Sequence, residues 1–229
     1  MNKKLKLGIL ILLSLSVYFI YQKNNHKKEN ILILGDNLSL GRNSYGIYEY
    51  SYIDYYKDAI KGKEVTLNKK YCQKDLTIQN LLEKIQTHPE MKRDLKEADL
   101  LFLNIGYNDL VYKLSLEEEI TPDLLSQILK EIEKEYQELQ KEIFKYYKKE
   151  IIIIGYYSSN QKDYYQNQGI RGMNRILQEN SKNIYIDTES ILNKKEYFSN
   201  PRSYYPNRLG YQKVAEEIMR KTLEKSKNI

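Results

Sequence analysis

"ILILGDNLSLG", residues 31–41, is a run of four aliphatic residues that stops at a glycine and continues into a polar, turn-forming stretch. Consecutive apolar side chains closed by turn residues read as a strand buried on both faces, the kind found in parallel sheets. Four more short apolar runs follow, at 64–67 (EVTL), 99–104 (DLLFLN), 150–157 (EIIIIGYY) and 183–187 (NIYID). Segments with helical periodicity separate them. The clearest runs from Thr121 to Tyr147, where Leu125, Ile128, Leu129, Ile132, Tyr136, Leu139, Ile143 and Tyr146 share one face; Thr121 is a good N-cap and Pro122 suits the first helical position. A last helix, from Leu209 to about Leu223, repeats the pattern with Tyr211, Val214, Ala215, Ile218 and Thr222, and its lysine-rich end (RKTLEKSKNI) is expected to fray into solvent. Strands alternating with helices predict an α/β fold, a doubly wound five-stranded parallel sheet of order 2-1-3-4-5. Ligands bind such sheets beyond the carboxyl ends of the strands, where the strand order reverses. The turn GDNLSLG after the first strand and the turn NIGYNDL after the third would face that crevice together.

At 229 residues the chain supports one sizeable core, so residues 29–229 are expected to form a single domain. The formal charge of +6 is concentrated at the amino terminus. Residues 1–28 hold six lysines and no acid, which leaves 31 basic against 31 acidic residues in the rest. A neutral domain argues against nucleic acid as a partner. The opening "MNKKLKLGILILLSLSVYFIYQK" has a basic start, an apolar run from Leu7 to Tyr21 and a polar flank, the layout of a signal anchor. The expectation is a membrane contact through residues 5–22, with residues 1–28 serving as anchor and spacer. The run covers about 22 Å as a helix, short of a hydrocarbon core of about 30 Å, so Lys6 and Lys23 would have to snorkel. No small-x-small cleavage signal closes the run and no cysteine follows it, which favours an uncleaved anchor with the domain outside the cytoplasm; cleavage would make the protein secreted. Cys72 is the only cysteine, so no internal disulfide can form.

A strand ending in Gly35-Asp36-Asn37-Leu38, a later one ending in Gly106-Tyr107-Asn108-Asp109, and the carboxyl-terminal "YPNRLGYQKVAEEI" together resemble the SGNH hydrolases, also called GDSL lipases or esterases. The resemblance covers roughly residues 30–225 and includes "LNKKYCQKDLTIQNLLEKI" (67–85), which is similar to the family's second block. It implies the flavodoxin-like strand order already predicted, and an ester-cleaving site. Members use a Ser nucleophile in the first block and an Asp-x-x-His in the last, with an oxyanion hole built from the serine N–H, a second-block glycine N–H and the Asn of Gly-x-Asn-Asp. Carried over by position, the nucleophile is Asn37, the base is Tyr205, the acid is Arg202 and the second-block glycine is Asp75. Only Asn108, with Gly106 and Asp109, keeps the pattern. Asp36 completes the set of pocket positions.

Activating a hydroxyl near neutral pH calls for a base of matching pKa, normally histidine. His26 lies in the spacer and His88 precedes Pro89 between the second and third strands, so neither serves the crevice. A tyrosine, with a reference pKa of about 10, is a poor base at pH 7. Ser39 is the only nearby hydroxyl in the first loop and has no evident partner in the sequence. A carboxylate at Asp75 would repel a developing oxyanion. Each position also has a plainer role: Asn37 as a residue tolerant of left-handed backbone, Asp36 and Asp109 as loop ties, Tyr205 as one tyrosine among 23, and Arg202 as a solvated surface residue or, with Lys74, a reader of an anion. The Tyr-rich segment 155–168 would line a groove suited to sugar rings. The expected function is a membrane-anchored, extracytoplasmic hydrolase homologue, catalytically degenerate, that binds a cell-envelope glycan, lipid or protein. The alternative is an active esterase, lipase or acetyl-transfer enzyme with a rearranged site. No Gly-x-Gly-x-x-Gly or P-loop follows the first strand, which disfavours nucleotides. The sequence calls for no cofactor, and a metal-dependent phosphoesterase built on Asp36, Asp75 and Asp109 is the remaining metal-based alternative.

Overall fold

The computed structural model describes residues 28–60, 64–158, 163–179, 183–200 and 203–226. Five strands, β1 (Glu29–Gly35), β2 (Val65–Asn68), β3 (Leu100–Asn104), β4 (Ile151–Ile154) and β5 (Ile184–Ile186), form one sheet in the order β2-β1-β3-β4-β5. All four pairings are parallel, so every strand ends on the same edge of the sheet. Ile31–Leu34, Leu101–Leu103 and Ile151–Ile154 are buried on both faces, which explains why these strands are written as unbroken apolar runs rather than as alternations. Full burial of each such side chain stabilises the fold by about 1.5–3 kcal/mol.

The helices are α1 (Tyr52–Ala59), α2 (Ile78–Thr87), α3 (Pro89–Glu97), α4 (Tyr107–Ser115), α5 (Pro122–Tyr146), α6 (Tyr164–Glu179), the short α7 (Thr188–Ile191) and α8 (Arg208–Ser226). They pack in two groups, α1 with α8, and α2, α3, α4 and α6 around α5. Helix α5 begins where its cap signal places it: the Thr121 hydroxyl accepts from the Leu124 N–H at 3.2 Å, and Pro122 opens the first turn.

The structure departs from the sequence expectation in three places. Strand β4 stops at Ile154 rather than at Tyr157, because the side-chain amide of Asn174 in α6 takes over both backbone groups of Tyr156, at 2.9 and 2.7 Å, and ends the ladder. The carboxyl-terminal helix does not fray at residue 220. It continues to Ser226, with Arg220 ion-paired to Glu217 (2.6 Å) and Glu224 (2.7 Å) and Lys221 donating to the Tyr185 carbonyl at 2.7 Å. In the Tyr-rich stretch 155–168, residues 164–168 are the first turns of α6 and not a loop. The expected anchor lies outside the described residues; among those described, no helix is long and apolar enough to cross a membrane.

Candidate functional site

At the carboxyl edge of the sheet Gly35 of β1 stands beside Asn104 of β3, and the chain turns sharply into the Asp36–Gly41 loop. Gly35 is obligatory: a Cβ there would lie 2.1 Å from Ser39 Oγ. Asn37 is 1% exposed and its side chain is held from three directions. Its Nδ2 donates to Asp75 Oδ1 at 3.1 Å and to the Tyr205 hydroxyl at 3.3 Å, while its Oδ1 accepts from the Tyr48 hydroxyl at 2.8 Å. The positions carried over as nucleophile, base and second-block residue thus converge on one point. Asn37 is not there for an unusual backbone conformation, because the one non-glycine residue with positive φ among those described is Asp75, at 56°. A left-handed conformation is what a glycine accommodates most easily, so Asp75 occupies a glycine-like turn and carries a carboxylate into it.

Tyr48 was not among the residues singled out from the sequence. It belongs to a flap, residues 42–50, folded back on itself by an antiparallel bridge between Arg42 and Tyr48 and by the Asn43 side chain, whose Oδ1 accepts from the N–H groups of Tyr45 and Ile47. The flap is fastened over the crevice: Ser44 Oγ donates to the Tyr205 carbonyl (3.0 Å), the Tyr211 hydroxyl donates to the Arg42 carbonyl (2.6 Å), and the Arg42 guanidinium lies 5.0 Å over the Tyr205 ring. Its signal was the cluster Tyr45, Ile47, Tyr48 and Tyr50, all exposed in a short loop.

The residues after β3 do different work. Gly106 has φ 114°, and an added Cβ would approach Met173 Sδ to 2.9 Å. Asn108 Nδ2 donates to the Leu76 carbonyl at 2.9 Å, tying the β3 turn to the second-block loop. Both oxygens of Asp109 accept from the Ile78 N–H, at 3.0 and 3.1 Å, at the start of α2. Burial pushes the Asp109 carboxyl up to about 7. Asp36, Asp75 and Asp109 therefore do not converge, and among the described residues no group of three or more His, Cys, Asp or Glu side chains is placed to hold a metal ion. Lys74 lies 3.8 Å from Asp75, and Arg202 is outside the described residues. His88 is exposed, with its ring Nδ1 beside Thr87 Oγ1 at 2.9 Å.

Asp36 is buried and accepts from the Leu38 N–H (3.0 Å) and from the Tyr156 hydroxyl (2.6 Å). Loss of solvent raises its pKa to about 6, with the Tyr156 hydrogen bond opposing the rise. Tyr156 stacks on Tyr107, ring centres 5.5 Å apart, and Tyr107 meets Tyr204 at 5.9 Å. With Tyr157, Tyr205, Leu38, Leu192 and Thr188 these rings line a narrow cleft of about 10 Å³, room for about one water. Ser39, which has no evident partner in the sequence, is fully buried beneath the loop, with its hydroxyl 2.7 Å from that of Tyr52. Tyr52 comes from α1, which is why the pairing is invisible in the loop's own sequence.

The residue at the base position is Tyr205. Burial pushes the Tyr205 phenol up to about 12, against weaker opposing effects from Asn37 and Arg42. At pH 7 roughly one molecule in 10⁵ would carry the phenolate.

A family model described as GDSL-like Lipase/Acylhydrolase matches residues 31–218. No curated protein sequence matches the chain. Among solved structures, a lipase from a goat rumen metagenome is similar over 84% of this chain and 96% of its own, with 20% identity and a TM-score of 0.68. A catalytic mutant of an acetylxylan esterase from Geobacillus stearothermophilus covers 84% and 93%, with 18% identity and a TM-score of 0.60. Phospholipase A1 from Streptomyces albidoflavus covers 84% and 98%, with 13% identity and a TM-score of 0.58. At these identities the likeness speaks for the fold.

Proposed function

Since the chain belongs to the GDSL-like lipase and acylhydrolase family, we propose that it is a member that has exchanged ester cleavage for binding. Its crevice holds a cell-envelope ligand, a glycan, a lipid or a protein, and the amino-terminal apolar run fastens the domain to the outer side of a membrane. The observation that carries this reading is the state of Asn37. A hydrolase needs a nucleophile that the substrate carbonyl can reach and a base that accepts its proton. Here the nucleophile position is an amide, 1% exposed, with its oxygen and both N–H groups engaged by Tyr48, Asp75 and Tyr205. The base position is a phenol whose pKa lies far above the working range. Losing a triad removes several orders of magnitude of rate even where the oxyanion hole persists.

The test is an assay of the purified protein with p-nitrophenyl acetate and butyrate, beside an Asn37→Ser/Asp75→Gly/Arg202→Asp/Tyr205→His variant. The native protein should show no turnover above buffer and no labelling by a fluorophosphonate. Saturable turnover by the native protein that disappears in Ser39→Ala or Asn108→Ala would establish the rearranged-enzyme alternative instead. Anchoring is tested separately, by asking whether the protein stays with washed membranes and is released when residues 1–28 are deleted.

A further inference from the structure

We propose that the groove on the outer side of the flap, between residues 43–49 and the start of α8, is a binding site for an uncharged oligosaccharide chain. It shares no lining residue with the tyrosine cleft, and it does not depend on what the crevice does.

The groove has room. It offers about 580 Å³, within the range of about 300–1,000 Å³ usual for ligand sites, whereas the tyrosine cleft holds about one water. One sugar ring would leave most of that volume wet, so the ligand that fits is a chain.

Its apolar surface is unoccupied. Tyr45 is 69% exposed, Ile47 57% and Leu209 40%, and all three line the groove. Among the described residues the Tyr45 ring meets no other ring and its hydroxyl has no hydrogen bond. The neighbouring flap tyrosines differ, since Tyr48 holds Asn37 and Tyr50 packs against Tyr55 at 5.4 Å. An exposed apolar patch with a polar rim marks a ligand groove, and a free aromatic face lies flat against the C–H face of a sugar.

The rim supplies what sugar hydroxyls need. Glu49, Glu196 and Gln212 line the groove beside Arg208. Among the described residues the side chains of Glu49 and Gln212 have no hydrogen-bond or ion-pair partner. A carboxylate only accepts and an amide both donates and accepts, which together match hydroxyls that do both. Other ligand classes fit worse. Two carboxylates against one guanidinium disfavour phosphates, sulfates and uronates. An acyl chain would desolvate Glu49 and Gln212 without pairing them. No strand of the sheet lines the groove, so a peptide gains no edge to extend.

Both walls are already fixed. Asn43 Oδ1 accepts from the N–H groups of Tyr45 (2.9 Å) and Ile47 (3.1 Å). Across the groove, Asn207 Nδ2 donates to the Glu196 carbonyl at 2.8 Å and its Oδ1 accepts from the Gly210 N–H at 3.1 Å. A ligand therefore has little backbone to order when it binds.

The experiment titrates the full-length protein, in a detergent without sugar headgroups, with xylohexaose, cellohexaose and hexa-N-acetylchitohexaose. Binding is followed by calorimetry and by tyrosine difference absorbance, since the chain has 23 tyrosines and no tryptophan. At least one hexamer should bind with a Kd below about 1 mM, and at least about fivefold more tightly than its own monosaccharide. Hexagalacturonate, with a carboxylate on every ring, should bind at least about fivefold more weakly than that hexamer. Tyr45→Ala should weaken binding by about three- to tenfold while Tyr45→Phe preserves it, and Gln212→Ala should weaken it by about fivefold. Tyr112→Ala, which removes a similarly exposed tyrosine from α4, should change it by less than about twofold. These side chains are exposed or half-buried, and circular dichroism checks that each variant is folded. Four outcomes overturn the proposal: no saturable binding of any hexamer, equal affinity for hexamer and monosaccharide, equal affinity for hexagalacturonate, or unchanged affinity in both Tyr45→Ala and Gln212→Ala. Loss of binding in Asp75→Asn with Tyr45→Ala unaffected would put the sugar in the crevice and overturn it too. Ester turnover on the same sample judges the loss of hydrolysis separately.

Discussion

The loops after β1 and after β3 face the same crevice, yet Gly106, Asn108 and Asp109 after β3 match the family pattern while Asn37 after β1 departs from it. After β3, Gly106 occupies a backbone conformation that side chains resist, Asn108 holds the second-block loop, and Asp109 caps α2. Each of these residues has a task in the fold that is independent of chemistry. After β1, the nucleophile position is filled by an amide that makes serviceable hydrogen bonds to Asp75, Tyr205 and Tyr48. A nucleophile's only indispensable property is its reactivity. The contrast teaches that the side chains after β3 hold backbone in place, whereas Asn37 after β1 is held only through side-chain hydrogen bonds that another polar residue could remake.

The largest effect that would test this contrast is in pH dependence. Asp36 and Asp109 both have folded pKa values raised by burial, from 3.8 to about 6 and about 7. The folded state therefore binds their protons more tightly than the unfolded chain. The stabilisation is complete below about pH 4 and is lost as pH rises through about 6 and about 7, amounting to about 3 kcal/mol for Asp36 and about 4 kcal/mol for Asp109. Denaturant unfolding should thus show greater stability at pH 5 than at pH 8, the reverse of ordinary salt-bridged acids. Asp109→Asn should remove the upper part of that slope and Asp36→Asn the lower part; a flat profile would break the comparison of the two loops as buried acid sites.

Next in size is Gly106→Ala, which forces a side chain into φ 114° and against Met173. It should cost about 2 kcal/mol, lowering Tm by roughly 4–8 °C. Asn37→Ser, on the opposite loop, should cost only about 1 kcal/mol, because Asp75 and Tyr48 are partly exposed and can turn to water. Equal losses at the two positions would refute the idea that only one loop is structural. The smallest effect is Tyr48→Phe, which removes one hydrogen bond from the flap and should cost about 0.5–1 kcal/mol while increasing proteolytic nicking between residues 42 and 50.

The fold was legible from the sequence because β1, β3 and β4 are buried on both faces and so are written as plain apolar runs. Thr121 and Pro122 likewise announce α5 by local chemistry alone. At the site, Asn37, Asp75 and Tyr205 were found by position, and they meet. Tyr48 and Tyr156 were not assigned roles, since their contacts with Asn37 and Asp36 span 11 and 120 residues and depend on how the flap folds and where β4 stops. The hydroxyl beside Ser39 was hidden for the same reason, since Tyr52 lies on α1. Periodicity reports which face of an element is buried; it carries no information about which hydroxyl ends beside which carboxylate.

Because all five strands run the same way, the chain enters β1 at Glu29 on one edge of the sheet and the crevice opens beyond Gly35 on the other. Seven residues of strand separate the two, about 20 Å. Whatever precedes Glu29 therefore joins the domain on the side opposite the crevice mouth, and a fusion or label placed there leaves the mouth unobstructed.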